Sequence, residues 1–204
     1  MAFLVTQKAP DFKATAVLAD GSVDKQFSLS NVFGRYAILL FYPLDFTFVC
    51  PTEILAFDEE IAEFEKRDCA VVGVSVDSAY VHLAWRRTSP DKGGVGPIKF
   101  PLVSDLSRSI AEAYGILFNN EVALRGLFML DREGVVRHAI INDQPFGRSV
   151  DEALRMLDAL RFHDEHGELC PANWEKGKGA AQAKGLGVID RLSKYGGGKP
   201  PSAE

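Results

Sequence analysis

One stretch concentrates residue types that do chemistry: Phe41-Tyr-Pro-Leu-Asp-Phe-Thr-Phe-Val-Cys-Pro-Thr-Glu53. Cys50 stands where an apolar run has ended and a helical pattern begins. Helix starts carry unpaired N–H groups and a partial positive charge. A thiol placed there gives up its proton more readily, and the thiolate is the nucleophilic form. Thr47, three residues earlier, brings a hydroxyl within loop reach, and Pro43 and Pro51 stiffen the loop. A cysteine at a helix start can equally be structural. No single element of the string decides between the two readings.

The surrounding pattern must hold that loop. Residues 36–42 (YAILLFY), 70–76 (AVVGVSV) and 126–130 (GLFML) are short apolar runs rich in β-branched and aromatic residues, as in strands covered on both faces. Residues 135–142 alternate more and follow the turn Asp131-Arg-Glu-Gly134, which predicts the second arm of a hairpin. Residues 12–18 and 24–28 flank Asp20-Gly21 and predict a small hairpin near the start. Helical spacing of Ile54, Phe57, Ile61 and Phe64 predicts one helix after Pro51, a residue suited to a first turn. Further helices are predicted over 78–88, over 107–114 before Gly115, and over 149–162, where Ser149 and Glu152 form a capping-box pattern. Strands alternating with helices, then a hairpin and a last helix, imply an α/β sandwich on a mixed sheet.

Taken whole, the string around Cys50 resembles the active-site signature of the peroxiredoxins, thiol-dependent peroxidases on a thioredoxin-like fold. Pro43, Thr47 and Cys50 meet the family pattern, and Cys-Pro-Thr-Glu follows it. Gly73-Val-Ser-Val-Asp-Ser78, His82-Leu-Ala-Trp85, Arg125-Gly-Leu-Phe128, Gly147-Arg-Ser-Val-Asp-Glu152 and His166-Gly-Glu-Leu-Cys-Pro171 agree as well. The match runs from about residue 9 to residue 174 and is nearest to the typical two-cysteine class, which includes the bacterial alkyl hydroperoxide reductase peroxidase subunit.

That resemblance implies a reduction of hydrogen peroxide or organic hydroperoxides by Cys50, which becomes a sulfenic acid. Arg125 matches the arginine that holds thiolate and peroxide oxygen, Thr47 a hydroxyl that donates or relays a hydrogen bond, and Pro43 a shield against water. Glu53 and Arg148 match positions that orient Arg125. Cys170 matches the resolving cysteine, which pairs with Cys50 of a second subunit. The implied assembly is a homodimer, and a decamer of such dimers. Re-reduction is implied by a thioredoxin-like protein or a flavoprotein through thiol–disulfide exchange, with no cofactor or metal. A second role as a holdase chaperone or redox relay is the alternative the family leaves open.

Composition limits the competing readings. The chain has 204 residues, a net charge of −5, 47% hydrophobic and 25% charged residues, and 3 cysteines. These are ordinary globular values, which exclude whole-chain disorder. The acidic balance argues against nucleic-acid or anionic-membrane surfaces, and no apolar run nears the ~18 residues of a span. Sparse, odd cysteines and no leader-like N-terminus suggest a cytoplasmic protein. Cys69 reads as a small buried apolar residue. His163, His166 and Cys170 lack a fourth ligand for zinc. A thioredoxin-type oxidoreductase needs C-x-x-C, and Glu53 stands at its second position. A cysteine hydrolase would need a base among His82, His138, His163 and His166. Trp85, Tyr80 and Phe46 read as core or interface aromatics.

Composition also shifts after about residue 162, placing a thioredoxin-like peroxidase domain at 3–162 and a C-terminal extension at 163–204. Over-oxidation-sensitive relatives carry a GGLG segment and a C-terminal Tyr-Phe. Here Gly93-Gly-Val-Gly96 nearly matches the first, while Arg191-Leu192 replaces the second. A tail that packs less firmly, with faster resolution, is the expectation.

Overall fold

The computed structural model describes residues 3–177. The chain forms two compact units that divide between Leu154 and Arg155. The first is built on nine strands: β1 (Lys13–Val17), β2 (Val23–Ser28), β3 (Tyr36–Phe41), β4 (Cys69–Ser75), β5 (Leu102–Ser104), β6 (Leu117–Phe118), β7 (Val122–Ala123), β8 (Arg125–Leu130) and β9 (Val136–Asn142). Between them lie α1 (Cys50–Glu59), α2 (Ile61–Lys66), α3 (Ala79–Arg87) and α4 (Ser109–Ala113). The fifth helix, α5 (Val150–His166), opens in the first unit and continues into the second.

Seven strands make one sheet in the order β2-β1-β5-β4-β3-β8-β9, and β6 and β7 pair apart from it. β3, β4 and β5 run parallel, whereas β8 runs antiparallel to β3 and β9 antiparallel to β8. The continuous apolar run of β3 follows from this position. All six of its residues are buried, because strands cover both edges and side chains cover both faces. The strand's alternation sends Ala37, Leu39 and Phe41 to one face, where they join Val72, Val74, Val103, Phe128 and Leu130 with Ile110 and Ala111 of α4. Each such leucine, valine or phenylalanine is worth roughly 1.5–3 kcal/mol when fully buried.

The central strands and the first hairpin lie where the sequence predicts them. The single helix predicted after Pro51 does not. It resets at Glu60, whose φ of −95° and ψ of 10° interrupt the ladder between α1 and α2. No proline or glycine marks the break. The helix predicted over 107–114 shrinks to Ser109–Ala113, because Arg108 sits at φ 64°. Gly115 ends it at φ 69°, as a helix-terminating glycine does. Tyr80 is not core: it is 83% exposed, while Trp85 is fully buried.

The Gly93–Gly96 segment closes back on the end of α3. The Gly96 N–H donates to the Thr88 carbonyl at 3.0 Å, and the Trp85 indole donates to the Gly93 carbonyl at 3.0 Å. A Cβ on Gly94 would lie 1.9 Å from the Thr88 carbonyl oxygen. Gly94→Ala therefore forces the turn off α3 and should cost about 1–3 kcal/mol, the range for overpacked sites. Urea denaturation will read this as a lower midpoint with an unchanged slope. The Arg191-Leu192 pair, on which the over-oxidation expectation partly rests, lies outside the described residues.

Candidate active site

The site forms where three elements end together. β3 stops at Phe41, β8 begins at Arg125, and the loop from Tyr42 leads into α1 at Cys50. α1 has no side-chain cap at Val49, and Pro51 occupies its first turn. Cys50 is 1% exposed. Arg125 Nη1 donates to Cys50 Sγ at 3.4 Å and to Glu53 Oε2 at 2.7 Å. Its Nε–H donates to the Gln144 carbonyl at 2.6 Å. The guanidinium is thus held on two sides, with Nη1 shared between Glu53 and the sulfur.

Glu53, one helical turn past Cys50, holds a second arginine. Arg148 donates to it from its main-chain N–H at 2.9 Å, from Nε at 2.7 Å and from Nη2 at 3.0 Å. Arg148 Nη1 also donates to the Phe41 and Gly126 carbonyls at 2.8 and 2.7 Å. The β3–β8 pairing ends at Leu40 and Leu127, so this guanidinium clamps the two strands just beyond their ladder. Burial pushes the Arg148 pKa down, and Glu53 acts against that shift. Two buried guanidinium groups share one carboxylate. One positive charge is left uncompensated beside the sulfur, a setting that suits an anionic sulfur and a departing oxyanion.

A cavity of about 550 Å³ opens on this cluster. Pro43, Leu44, Phe48, Val49, Val122 and Pro145 give it apolar walls around Thr47, Cys50 and Arg125. The Thr47 hydroxyl donates to the Leu44 carbonyl at 2.9 Å. Its oxygen can therefore accept a hydrogen bond from a bound molecule while its own hydrogen is donated to the main chain. Pro43 is buried in the wall. Phe46, in the same loop, holds φ at +52°, a left-handed value that costs a side-chain-bearing residue roughly 1–2 kcal/mol.

The structure brings Pro43, Thr47, Cys50, Glu53, Arg125 and Arg148 together. Cys170 belongs to the second unit. There its Sγ approaches the Ala159 carbonyl at 3.5 Å, and its thiol is free. Partial burial raises the Cys170 thiol pKa, with Arg155 opposing. In the same unit Arg155 Nη1 donates to the Trp174 carbonyl at 2.9 Å, and the Phe162 and Trp174 rings meet at 5.1 Å. Cys69 is buried on β4, as expected. Among the described residues no histidine lines the Cys50 cavity, so a hydrolase-type base is not in place. The Gln144 carbonyl that fixes Arg125 is invisible to sequence reasoning, because any residue type carries one. Glu121, Val122 and Pro145 were likewise unmarked, and only the fold brings them to the cavity.

Comparison with known proteins agrees with this geometry. Residues 5–139 match the model of the AhpC/TSA family, and residues 159–180 match the C-terminal domain of 1-Cys peroxiredoxin. The chain is 52% identical over 192 residues to alkyl hydroperoxide reductase C of Helicobacter pylori, covering 94% of this chain and 97% of that one. It is 54% identical over 174 residues to peroxiredoxin-2 of Bos taurus, covering 85% and 86%. The reduced 2-Cys peroxiredoxin of Plasmodium vivax superposes with a TM-score of 0.91 at 46% identity, over 94% of this chain and 100% of that one. A buried cysteine under an arginine, on this fold and with these relatives, places the chain in the AhpC/TSA family, as a thiol-dependent peroxidase of the peroxiredoxin kind.

Proposed function

We propose that the chain reduces hydroperoxides at Cys50 and resolves the product through Cys170 of a second subunit. The observation that carries this is the Arg125 contact with the Cys50 sulfur, held in place by Glu53. The Cys50 thiolate attacks one peroxide oxygen and donates two electrons to the O–O bond. That oxygen stays on sulfur as the sulfenic acid, and the other leaves as an oxyanion. The oxyanion takes a proton and departs as water or an alcohol. Arg125 stabilises charge on both oxygens, and Thr47 accepts a hydrogen bond from the peroxide proton. Pro43 and the other apolar walls exclude water.

The sulfenic acid then condenses with the Cys170 thiol, releasing water and forming a disulfide. That bond needs Cα atoms within about 7 Å. A sulfur 1% exposed inside a helix start cannot offer that approach, so the first turn around Cys50 must unwind. A dithiol protein such as thioredoxin, or a flavoprotein system, restores both thiols by exchange. Such a cycle belongs in a reducing compartment, which fits a cytoplasmic enzyme.

Two exposed surfaces support the assembly. β9 is an outer strand of the sheet, and Ile141 on it and Phe146 beyond it are 51% and 63% exposed. Thr6 and Gln7 cover the first residue of β9, Val136, by main-chain hydrogen bonds, and an outer strand can pair with a second copy along the edge beyond that point. At the shared end of the parallel strands β3, β4 and β5, the segments that follow expose Phe46 and Leu106 in loops and Tyr80 in the first turn of α3. That second apolar surface suits the joining of dimers into a ring such as a decamer.

Cys170→Ser tests the reading. One equivalent of peroxide should still be consumed per Cys50. The oxidised wild type should run as a dimer on a non-reducing gel, and the variant as a monomer. Thioredoxin-driven turnover should be lost with the dimer band. A dimer band that survives in Cys170→Ser would overturn the pairing.

A further inference from the structure

The loop that carries Thr47 and Cys50 starts from a second buried polar network, separate from the arginine cluster. The Asp45 and His82 side chains are 0% exposed. His82 Nδ1 lies 2.7 Å from Asp45 Oδ2, and the Tyr42 hydroxyl donates to Asp45 Oδ1 at 2.8 Å. His82 Nε2 lies 3.2 Å from the Val103 carbonyl. A carbonyl only accepts, so Nε2 carries a hydrogen. One further proton therefore sits between Nδ1 and the carboxylate. Burial raises the Asp45 pKa, and the His82 contact opposes that rise. The main chain joins in: the Asp45 N–H donates to Asp77 Oδ2 at 2.8 Å, and the Ser75 hydroxyl donates to the same oxygen at 2.8 Å.

One network thus joins the loop residue Asp45 to Tyr42 just past β3, to His82 of α3 and, through Asp77 and His82, to Ser75 of β4 and Val103 of β5. None of these side chains lines the Cys50 cavity. The next residue, Phe46, is the one held at φ +52°. Thr47 follows, turned back on Leu44 by its hydroxyl. A strained residue directly after a fixed one stays strained only while the anchor holds.

We propose that Asp45 and His82 are positioning residues for the peroxidatic step: their buried contact fixes the stem of the catalytic loop so that Thr47 and Cys50 meet Arg125. The loop is then pinned at Asp45 on one side and at Glu53 on the other. Residues 46–52 form the only stretch between the two anchors. This deepens the peroxidase reading, and it rests on the unwinding proposed above for the second step alone.

The test separates the two chemical steps. Stopped-flow mixing of fully reduced protein with hydrogen peroxide gives the rate of Cys50 oxidation, and the later phase gives disulfide closure. Asp45→Ala and His82→Phe each orphan a buried partner. Either should slow Cys50 oxidation by about tenfold to a hundredfold, as small misplacements of reacting groups do. Disulfide closure should stay constant or quicken. Asp45→Asn is the rescue. Its carbonyl accepts from Tyr42 while its amide donates to Nδ1 of a neutral His82, and both rates should stay within about threefold of wild type. Phe27→Leu, a core change in β2, controls for lost stability and should leave both rates unaltered. If the Ala and Phe variants fail to fold, Tyr42→Phe removes one hydrogen bond and should slow the first step alone. Equal slowing of both steps, or an unchanged first step in folded Asp45→Ala or Tyr42→Phe, overturns the proposal. Failure of disulfide closure in every protein, wild type included, would instead count against the Cys170 reading.

Discussion

Replacing Glu53 with alanine is expected to destabilise the fold by about 3–5 kcal/mol, the cost of breaking a buried ion pair from one side. Glu53 is 3% exposed and accepts four hydrogen bonds from Arg125 and Arg148. Removing it leaves two guanidinium groups close together, buried and without a counter-ion. Each retains carbonyl acceptors, at Gln144 for Arg125 and at Phe41 and Gly126 for Arg148. Neutral acceptors do not offset a buried charge, and two like charges now repel. Glu53→Gln separates charge from shape. The amide fills the same space but presents N–H to one of the arginines, so it should recover only part of the loss. Urea denaturation of the reduced proteins reads the order wild type, Gln, Ala. A loss below about 1 kcal/mol for Ala, the surface-pair range, would mean that water reaches the cluster and compensates it.

This cluster also shows what a sequence can and cannot say. The strands β3, β4 and β8 were legible because burial on both faces writes itself as an unbroken apolar run. The start of α1 was legible because Pro51 belongs in a first turn. β5 was missed, since three residues after Pro101 are too few to carry a period. The reset at Glu60 was missed because it follows from backbone geometry without a breaker residue. Among the site residues, Cys50 and Thr47 were marked by local pattern. Arg125 and Arg148 were marked only by resemblance, because an isolated arginine is usually a solvated charge. Their shared partner Glu53 lies 72 and 95 residues away from them. Asp45 and His82 lie within the family-like strings around Cys50 and Trp85, yet their contact spans 37 residues and only the sheet makes it.

Arg125→Met should lower the second-order rate of Cys50 oxidation by about 10²–10³, the cost of removing one preorganised donor from a developing oxyanion. The loss should appear in the rate rather than in the fold. Arg148 keeps three contacts to Glu53 after the change, so the carboxylate is not orphaned. Methionine also fills much of the space of the arginine stem. Stability should therefore fall by less than in Glu53→Ala, although the rate falls by more than stability alone could explain. Arg125→Lys divides the effect further. A lysine supplies one charge, but its compact ammonium cannot fork between Glu53, the Gln144 carbonyl and the sulfur as Arg125 does. If charge alone matters, lysine restores most of the rate. If the geometry of the fork matters, lysine stays close to methionine. The three fixed contacts of Arg125 favour the second outcome. They hold the guanidinium in place before the peroxide arrives, and a preorganised donor need not reorient as charge moves onto the departing oxygen.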